Sequence, residues 1–264
     1  GSGKSFNEKM EMGQVFCFSN DDIVVVDPMS EYRGIAENWG GEYVNLTQAS
    51  DNVYYINPFH VPEAVPDRDK FIAEKAEFAY AIVEQALKGL TVCTSRHTAV
   101  VDKALRALYS DFFATREKAP KRKKASIDSP TIQTLREKIN EYVYDNGVIN
   151  ETAKEIVDNL EIFAEGTLDI FSHQQSTNKK NRFTVFGFSE LGSRMRPMAM
   201  LIMIETITSQ IKYNQADGVS TWVYLDEIHE LWGQEYSLQA IERMWREVRK
   251  RGGICTGMSQ NLID

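Results

Sequence analysis

Gly1-Ser2-Gly3-Lys4-Ser5-Phe6 opens the chain. Set against the pattern G-x-x-x-x-G-K-[ST], Gly3, Lys4 and Ser5 form the closing G-K-S of a phosphate-binding loop. In such a loop successive backbone N–H groups, uncrowded where glycine lacks a Cβ, make a concave nest for phosphate oxygens. The lysine reaches the β- and γ-phosphates and the serine hydroxyl ligates Mg²⁺. The helix that follows turns the positive end of its dipole toward the anion. Gly1, Ser2 and Phe6 complete the stretch expected to line the nucleotide. The first glycine of the pattern would lie three residues before Gly1, with its strand earlier still. The chain is therefore expected to be part of a larger protein, cut at its nucleotide site. Gly-Ser-Gly is also a common linker sequence, so the reading of these six residues depends on what the rest of the chain supplies.

Working outward, Ile23-Val24-Val25-Val26 is a continuous β-branched run closed by Asp27-Pro28. A run apolar on both faces reads as a buried parallel strand. Asp27 at its C-terminal end stands where open α/β sheets gather their ligands. A short strand is expected over 43–46, beyond the Gly40-Gly41 turn, and further strands over 182–188, 220–225 and 254–259. Helices are expected over 6–13, just after Tyr32, over 197–213 and over 237–251. Alternation of this kind defines an α/β class, a mostly parallel sheet flanked by helices.

The alternation is interrupted. Pro62 and Pro66 punctuate the chain, and from there to about 165 the pattern is helical with almost no strand signal. Apolar stripes run from Phe71 to Leu87 and from Val100 to Phe112. Residues 115–130, around Lys121-Arg122-Lys123-Lys124, read as a loop. Ser129-Pro130 fits the cap and first position of a third helix through Leu135, Ile139 and Val143, stopped by Asn146-Gly147. Asn150 can cap a fourth helix ending before Gly166. The expected organisation is a nucleotide-binding core made of 1–61 and 166–264, with 62–165 inserted as an all-helical block.

The second chemical signal is Trp222-Val223-Tyr224-Leu225-Asp226-Glu227, an apolar strand that delivers two adjacent carboxylates at its tip. In phosphate-loop NTPases an aspartate in this place holds the Mg²⁺ shell, and a glutamate beside it can act as general base on the attacking water. Successive strand side chains point to opposite faces, which suits two different roles. A solvated acidic turn is the plainer alternative. Further on, Arg246, Arg249, Lys250 and Arg251 crowd a helix end before Gly252-Gly253. Cations there complement the negative helix terminus. Alternatively, one of them, Arg249 ahead of Arg251, is an arginine finger stabilising charge on the γ-phosphate. Gln260, at the tip of the last strand, is a candidate γ-phosphate sensor or water-positioning residue.

Composition narrows the field. Hydrophobic residues make up 42% and charged residues 26% of the chain, enough for a substantial core. A net charge of −8 argues against a surface dominated by non-specific DNA binding. Cys17, Cys93 and Cys255 are widely spaced and read as reduced thiols. His60, His97, His173 and His229 lack metal-ligand spacing, and Asp226-Glu227-Ile228-His229-Glu230 is not the H-E-x-x-H zinc pattern. No G-x-S-x-G elbow supports serine hydrolysis. The longest apolar run, 198–204, is too short to span a bilayer.

The ordered set resembles a known family. Gly1-Ser2-Gly3-Lys4-Ser5-Phe6 is followed by Asp27-Pro28-x-x-Glu31-Tyr32, Gly40-Gly41, Asn57-Pro58 and 185–191 (Val-Phe-Gly-Phe-Ser-Glu-Leu). Then come Tyr224-Leu225-Asp226-Glu227, Arg249-Lys250-Arg251-Gly252-Gly253 and Thr256-Gly257-Met258-Ser259-Gln260-Asn261. The order and spacing are similar to the ATPase domain of the large conjugative type IV secretion ATPases, of the TraC/TrbE kind, within the FtsK/HerA superfamily. The resemblance covers essentially the whole chain. It implies a RecA-like core with a helical insertion, ATP and Mg²⁺ as ligands, hydrolysis of ATP, and hexamers at the inner face of the cell membrane, held there by other secretion subunits. It implies Lys4 and Ser5 on phosphate and metal, Asp226 on the metal side, Glu227 as base, Arg249 at the arginine position and Gln260 at the strand-tip glutamine. An acidic or amide residue often stands where this chain has Gly187, and the family continues beyond both ends of this sequence. A DNA-pumping translocase of the same superfamily is a second reading, to be recognised by DNA-stimulated hydrolysis. A catalytically inactive interaction module, docking partners through its helical block, is a third.

Overall fold

The computed structural model describes residues 4–46, 55–145, 147–165, 169–174, 181–192, 195–231 and 235–259; for Lys4, Ser5, Ala125, Asp145 and Glu230 the backbone alone is described. The chain divides into two units, one comprising 1–50, 178–233 and 241–264, the other 51–177 and 234–240.

The first unit is built on a sheet of five strands: β1 (Asp22–Asp27), β2 (Glu42–Asn45), β5 (Phe183–Gly187), β6 (Thr221–Leu225) and β7 (Gly253–Gly257). Their spatial order is β2-β5-β1-β6-β7, and every pairing is parallel. Helices α1 (Lys4–Phe18), α2 (Arg33–Asn38), α7 (Arg196–Ala216) and α8 (Glu235–Lys250) complete the alternation. This is the α/β class expected from the apolar runs. All six residues of β1 are buried, as its central place requires. Alternation sends Ile23 and Val25 into a core shared with Met12 and Val15 of α1, Ala36 of α2, Phe183, Val185 and Tyr224. Val24 and Val26 are left for the opposite face. Helix α1 does not end near Gly13 but runs on to Phe18; a Cβ at Gly13 would make an ordinary 3.5 Å contact with the Trp39 ring.

The second unit contains α3 (Arg68–Leu87), α4 (Ser95–Lys118), α5 (Ile132–Asn140) and α6 (Glu151–Ala164), with a two-stranded hairpin of β3 (Tyr144–Asp145) and β4 (Val148–Ile149). Its limits lie outside the expected 62 and 165. Residues 55–61 belong with the helices: Asn57 Nδ2 donates to the Pro130 carbonyl at 2.9 Å, and the Val61 N–H to Ser129 Oγ at 3.0 Å. Ser129, so engaged, does not cap α5. Thr131 does, in a capping box with Thr134. Asn150 caps α6, accepting from the Ala153 N–H. The basic run expected as loop lies in a short 3₁₀ helix, Lys121–Ser126, preceded by α4 up to Lys118.

The first turn of α8 groups with this unit. The carboxylate of Glu84, buried on α3, accepts the backbone N–H groups of Glu235 (3.1 Å), Tyr236 (2.9 Å) and Ser237 (3.3 Å). These are orphan donors of a helix start, and a carboxylate is the strongest acceptor available to them. Burial nevertheless raises the Glu84 pKa above the usual range.

Candidate active site

The candidate edge of the sheet is the one where the strands end, where open α/β sheets gather their ligands. In register, Asp27 of β1 stands beside Gly187 of β5, and Leu225 of β6 beside Gly257 of β7. Asp27 is fully buried and closes the turn into α2, accepting the N–H of Glu31 at Oδ1 (2.9 Å) and of Tyr32 at Oδ2 (2.8 Å). Burial raises its pKa, and these backbone bonds work against the rise. Ser30, in the left-handed region with φ 61°, places its Oγ 2.7 Å from both Tyr43 Oη and Ser189 Oγ. One hydroxyl cluster thus joins residues following β1 and β5 to β2. Gly187 has a steric explanation here: a Cβ on it would meet Tyr43 Oη at 1.9 Å. The phenol fills the volume a side chain would take.

The tip of β6 is pinned from both sides. Asp226 N–H donates to the Val26 carbonyl on β1 and Ile228 N–H to the Met258 carbonyl after β7, both at 3.0 Å. Between them Glu227 adopts φ 52°, unusual for a residue with a long side chain. Its own N–H donates to Asp226 Oδ1 at 2.9 Å. A strained backbone held by its neighbours is a recurrent property of functional sites. Both carboxylates are buried. Burial first, then the nearby charges of Glu227, Glu31 and Asp27, pushes the Asp226 pKa up to about 7, against the backbone bond from Glu227. A cluster of acids that suppresses its own ionisation is relieved by a cation, so the donor chemistry fits Mg²⁺. Among the described residues no group of three or more His, Cys, Asp or Glu forms a complete protein-only metal cage.

Helix α1 starts on this same edge. It leads into β1, whose N-terminal end lies at the opposite edge, so Lys4 and Ser5 open the helix on the side where Asp226 ends β6. Glu8 of α1 accepts from Tyr32 Oη at 3.0 Å, and Phe6 is 67% exposed. The Lys4 and Ser5 side chains, Gly1, Ser2, Gly3 and Gln260 lie outside the described parts.

Arg249 is not brought to this edge. It is exposed in the last turn of α8, and the chain then enters β7 at Gly253, which pairs with Thr221 at the start of β6. The length of β6, about 16 Å at 3.3 Å per residue, separates that level from the carboxylate tip. Arg251 is occupied, donating to Glu247 Oε2 at 2.9 Å and Gln215 Oε1 at 3.1 Å. Two features escaped the reading of the sequence. The Tyr43–Ser30–Ser189 cluster has no local signature, because its members are distant in sequence. His229 failed as a zinc motif, yet its Nδ1 lies 2.9 Å from Glu227 Oε2.

A parallel five-stranded sheet, a helix opening at its C-terminal edge and a paired carboxylate at a strand tip define the class: the fold is that of the RecA-like phosphate-loop ATPases. Among solved structures, VirB4 of Thermoanaerobacter pseudethanolicus matches over 99% of this chain and 67% of its own, with TM-score 0.74 and 20% identity. The bacterial conjugative coupling protein TrwBdeltaN70 matches in its unbound monoclinic form at TM-score 0.56 and 11% identity, over 98% of this chain and 60% of its own. Its trigonal form with sulphate matches at TM-score 0.56 and 12% identity, over 99% and 61%. At these identities the likeness establishes the fold. No protein-family model and no curated protein sequence matches the chain.

Proposed function

We propose that this chain is the ATP-hydrolysing core of a motor subunit that powers assembly of, and substrate transfer through, a conjugative type IV secretion system. The observation that carries the reading is the pinned Asp226–Glu227 pair on the sheet edge where α1 opens with Lys4-Ser5. The ordered motifs of the chain and the VirB4 and TrwB folds support the secretion assignment. Lys4, at the helix start, would draw the β- and γ-phosphates. Ser5 and Asp226 would hold Mg²⁺, which neutralises phosphate charge when bound. Glu227 takes the proton of the attacking water, and its fixed backbone sets the point from which the side chain reaches. Gln260 follows β7 and would orient that water or sense the γ-phosphate.

Arg249, at the far edge of its own sheet, is suited to a nucleotide bound by a neighbouring subunit. Its placement therefore favours a ring assembly, the hexamer, in which each copy completes the next site. No described helix is long and apolar enough to cross a membrane; residence at the inner membrane face through partner subunits is part of the proposal.

Mg-ATP hydrolysis by the purified protein tests the reading. Lys4→Ala and Glu227→Gln are each expected to abolish turnover, Glu227→Gln with nucleotide binding retained. Turnover surviving both changes refutes the assignment. Strong stimulation by DNA would favour the translocase instead.

A further inference from the structure

We propose that His229 is a positioning residue that sets the orientation of the Glu227 carboxylate; this rests on the reading of Glu227 as general base and extends it. The backbone at Glu227 is fixed by the hydrogen bonds of Asp226 and Ile228 to the two flanking strands. A glutamate side chain still has three rotatable bonds beyond that fixed point. A base that must meet one water in one geometry gains from a partner that removes this freedom.

His229 is placed to do so. It lies in the 3₁₀ turn Ile228–Leu231, anchored by buried Ile228 and Leu231 on either side. Its Nδ1 is 2.9 Å from Glu227 Oε2. Both atoms are sealed from solvent, and their angle falls outside good hydrogen-bond geometry, so the contact is a close electrostatic one. A proton on Nδ1 is attracted to the nearby carboxylate oxygen even off the hydrogen-bond axis, whereas a bare ring nitrogen would repel it. The contact thus selects the Nδ1–H form. It engages Oε2 and leaves the second carboxylate oxygen to receive the proton of the water. The left-handed turn at Glu227 makes the approach possible by folding the chain back, so that residue 229 returns to 227 just beyond the strand.

Steady-state hydrolysis by the protein and its variants tests this. His229→Ala is expected to lower kcat about 10–100-fold while KM for Mg-ATP stays within about twofold. His229→Asn, whose amide nitrogen can stand near the place of Nδ1, is expected to recover most of the loss. In a Glu227→Gln background, whatever residual single-turnover rate survives should fall no further on adding His229→Ala, because the group it positions is gone. His229→Phe keeps the ring volume without Nδ1 and serves if the alanine variant does not fold. Wild-type kcat in the alanine or phenylalanine variant overturns the proposal. So does an equal additional loss in the Glu227→Gln background, or a raised KM with no rescue by asparagine. Wild-type kcat in Glu227→Gln alone would instead remove the base itself, and the proposal with it.

Discussion

Replacing Gly187 with alanine adds one methyl group at a place already occupied. The new Cβ would stand 1.9 Å from Tyr43 Oη, 2.4 Å from Cζ and 2.9 Å from Cε2, all closer than any van der Waals contact. Two effects compete. Restricting the unfolded chain at a former glycine stabilises by about 0.4–1 kcal/mol. Against it, overpacking of this kind costs about 1–3 kcal/mol. Ejecting the phenol also breaks its 2.7 Å bond to Ser30 Oγ, a net loss of about 1 kcal/mol. Tyr43 is half-buried and can swing outward, which limits the strain. The sum is a destabilisation of about 1–3 kcal/mol. Urea unfolding followed through Trp39 and Trp222, both packed in the sheet unit, would measure it. In a Tyr43→Ala background the obstacle is absent, and Gly187→Ala should become neutral or stabilising, giving a coupling energy above about 1 kcal/mol. If alanine at 187 is as stable as glycine while Tyr43 is intact, or if the two changes add, then Tyr43 does not fill that space.

Three further outcomes follow from the geometry. Asp226 has its pKa raised from 3.8 to about 7 by folding, so the native state binds the extra proton in that window. Its contribution to stability is fully present below about 4 and lost as pH rises through about 7, worth at most about 4 kcal/mol. Asp27 and Glu84 slope the same way, so the difference between wild type and Asp226→Asn in metal-free unfolding at pH 5 and 8 isolates it; parallel curves would contradict the shift. Glu84→Ala strands three N–H groups at the start of α8 and should cost about 1–2 kcal/mol, with faster amide exchange at 235–237 as the direct readout; unchanged exchange would refute the cap. If Arg249 acts across subunits, then Arg249→Ala and Lys4→Ala proteins, each inactive, should regain activity when co-assembled at equal amounts, up to about a quarter of wild type; a mixture that stays inactive speaks against the shared site.

Much of the sheet was legible because burial on both faces leaves a strong trace. Ile23 to Val26, and the strands ending at Gly187, Leu225 and Gly257, lie where their apolar runs lie. The order of those strands was not legible, since it depends on which crossover passes which, and local sequence does not encode that. Cap residues were legible only where the competing bond was absent. Asn150 caps α6 as expected, whereas Ser129 yields to Thr131 because its hydroxyl is taken by Val61. Asn146-Gly147, expected to stop α5, does not mark its end: α5 closes at Asn140, and Tyr144–Asp145 pairs with Val148–Ile149, with Gly147 at φ 81°. At the candidate site, Asp226 and Glu227 announced themselves as paired acids on an apolar strand. The far-edge position of Arg249 and the approach of His229 to Glu227 follow from chain reversal at element ends, which residue types alone do not report.

The strand order also governs when the sheet can exist during synthesis. β1 and β2 are neighbours in sequence but do not bond to one another; β1 bonds to β5 and β6, and β2 to β5. Among the described strands of this unit, no ladder can therefore form before β5, and the hydrophobic run Ile23 to Val26 must wait for Phe183 to Gly187 to emerge from the ribosome. Contacts so remote in sequence make for slow assembly. At about 5–20 residues per second, the interval in which that run stays unpaired is about 8–30 s. Through that interval residues 23–26 of a nascent chain are apolar strand without a strand partner.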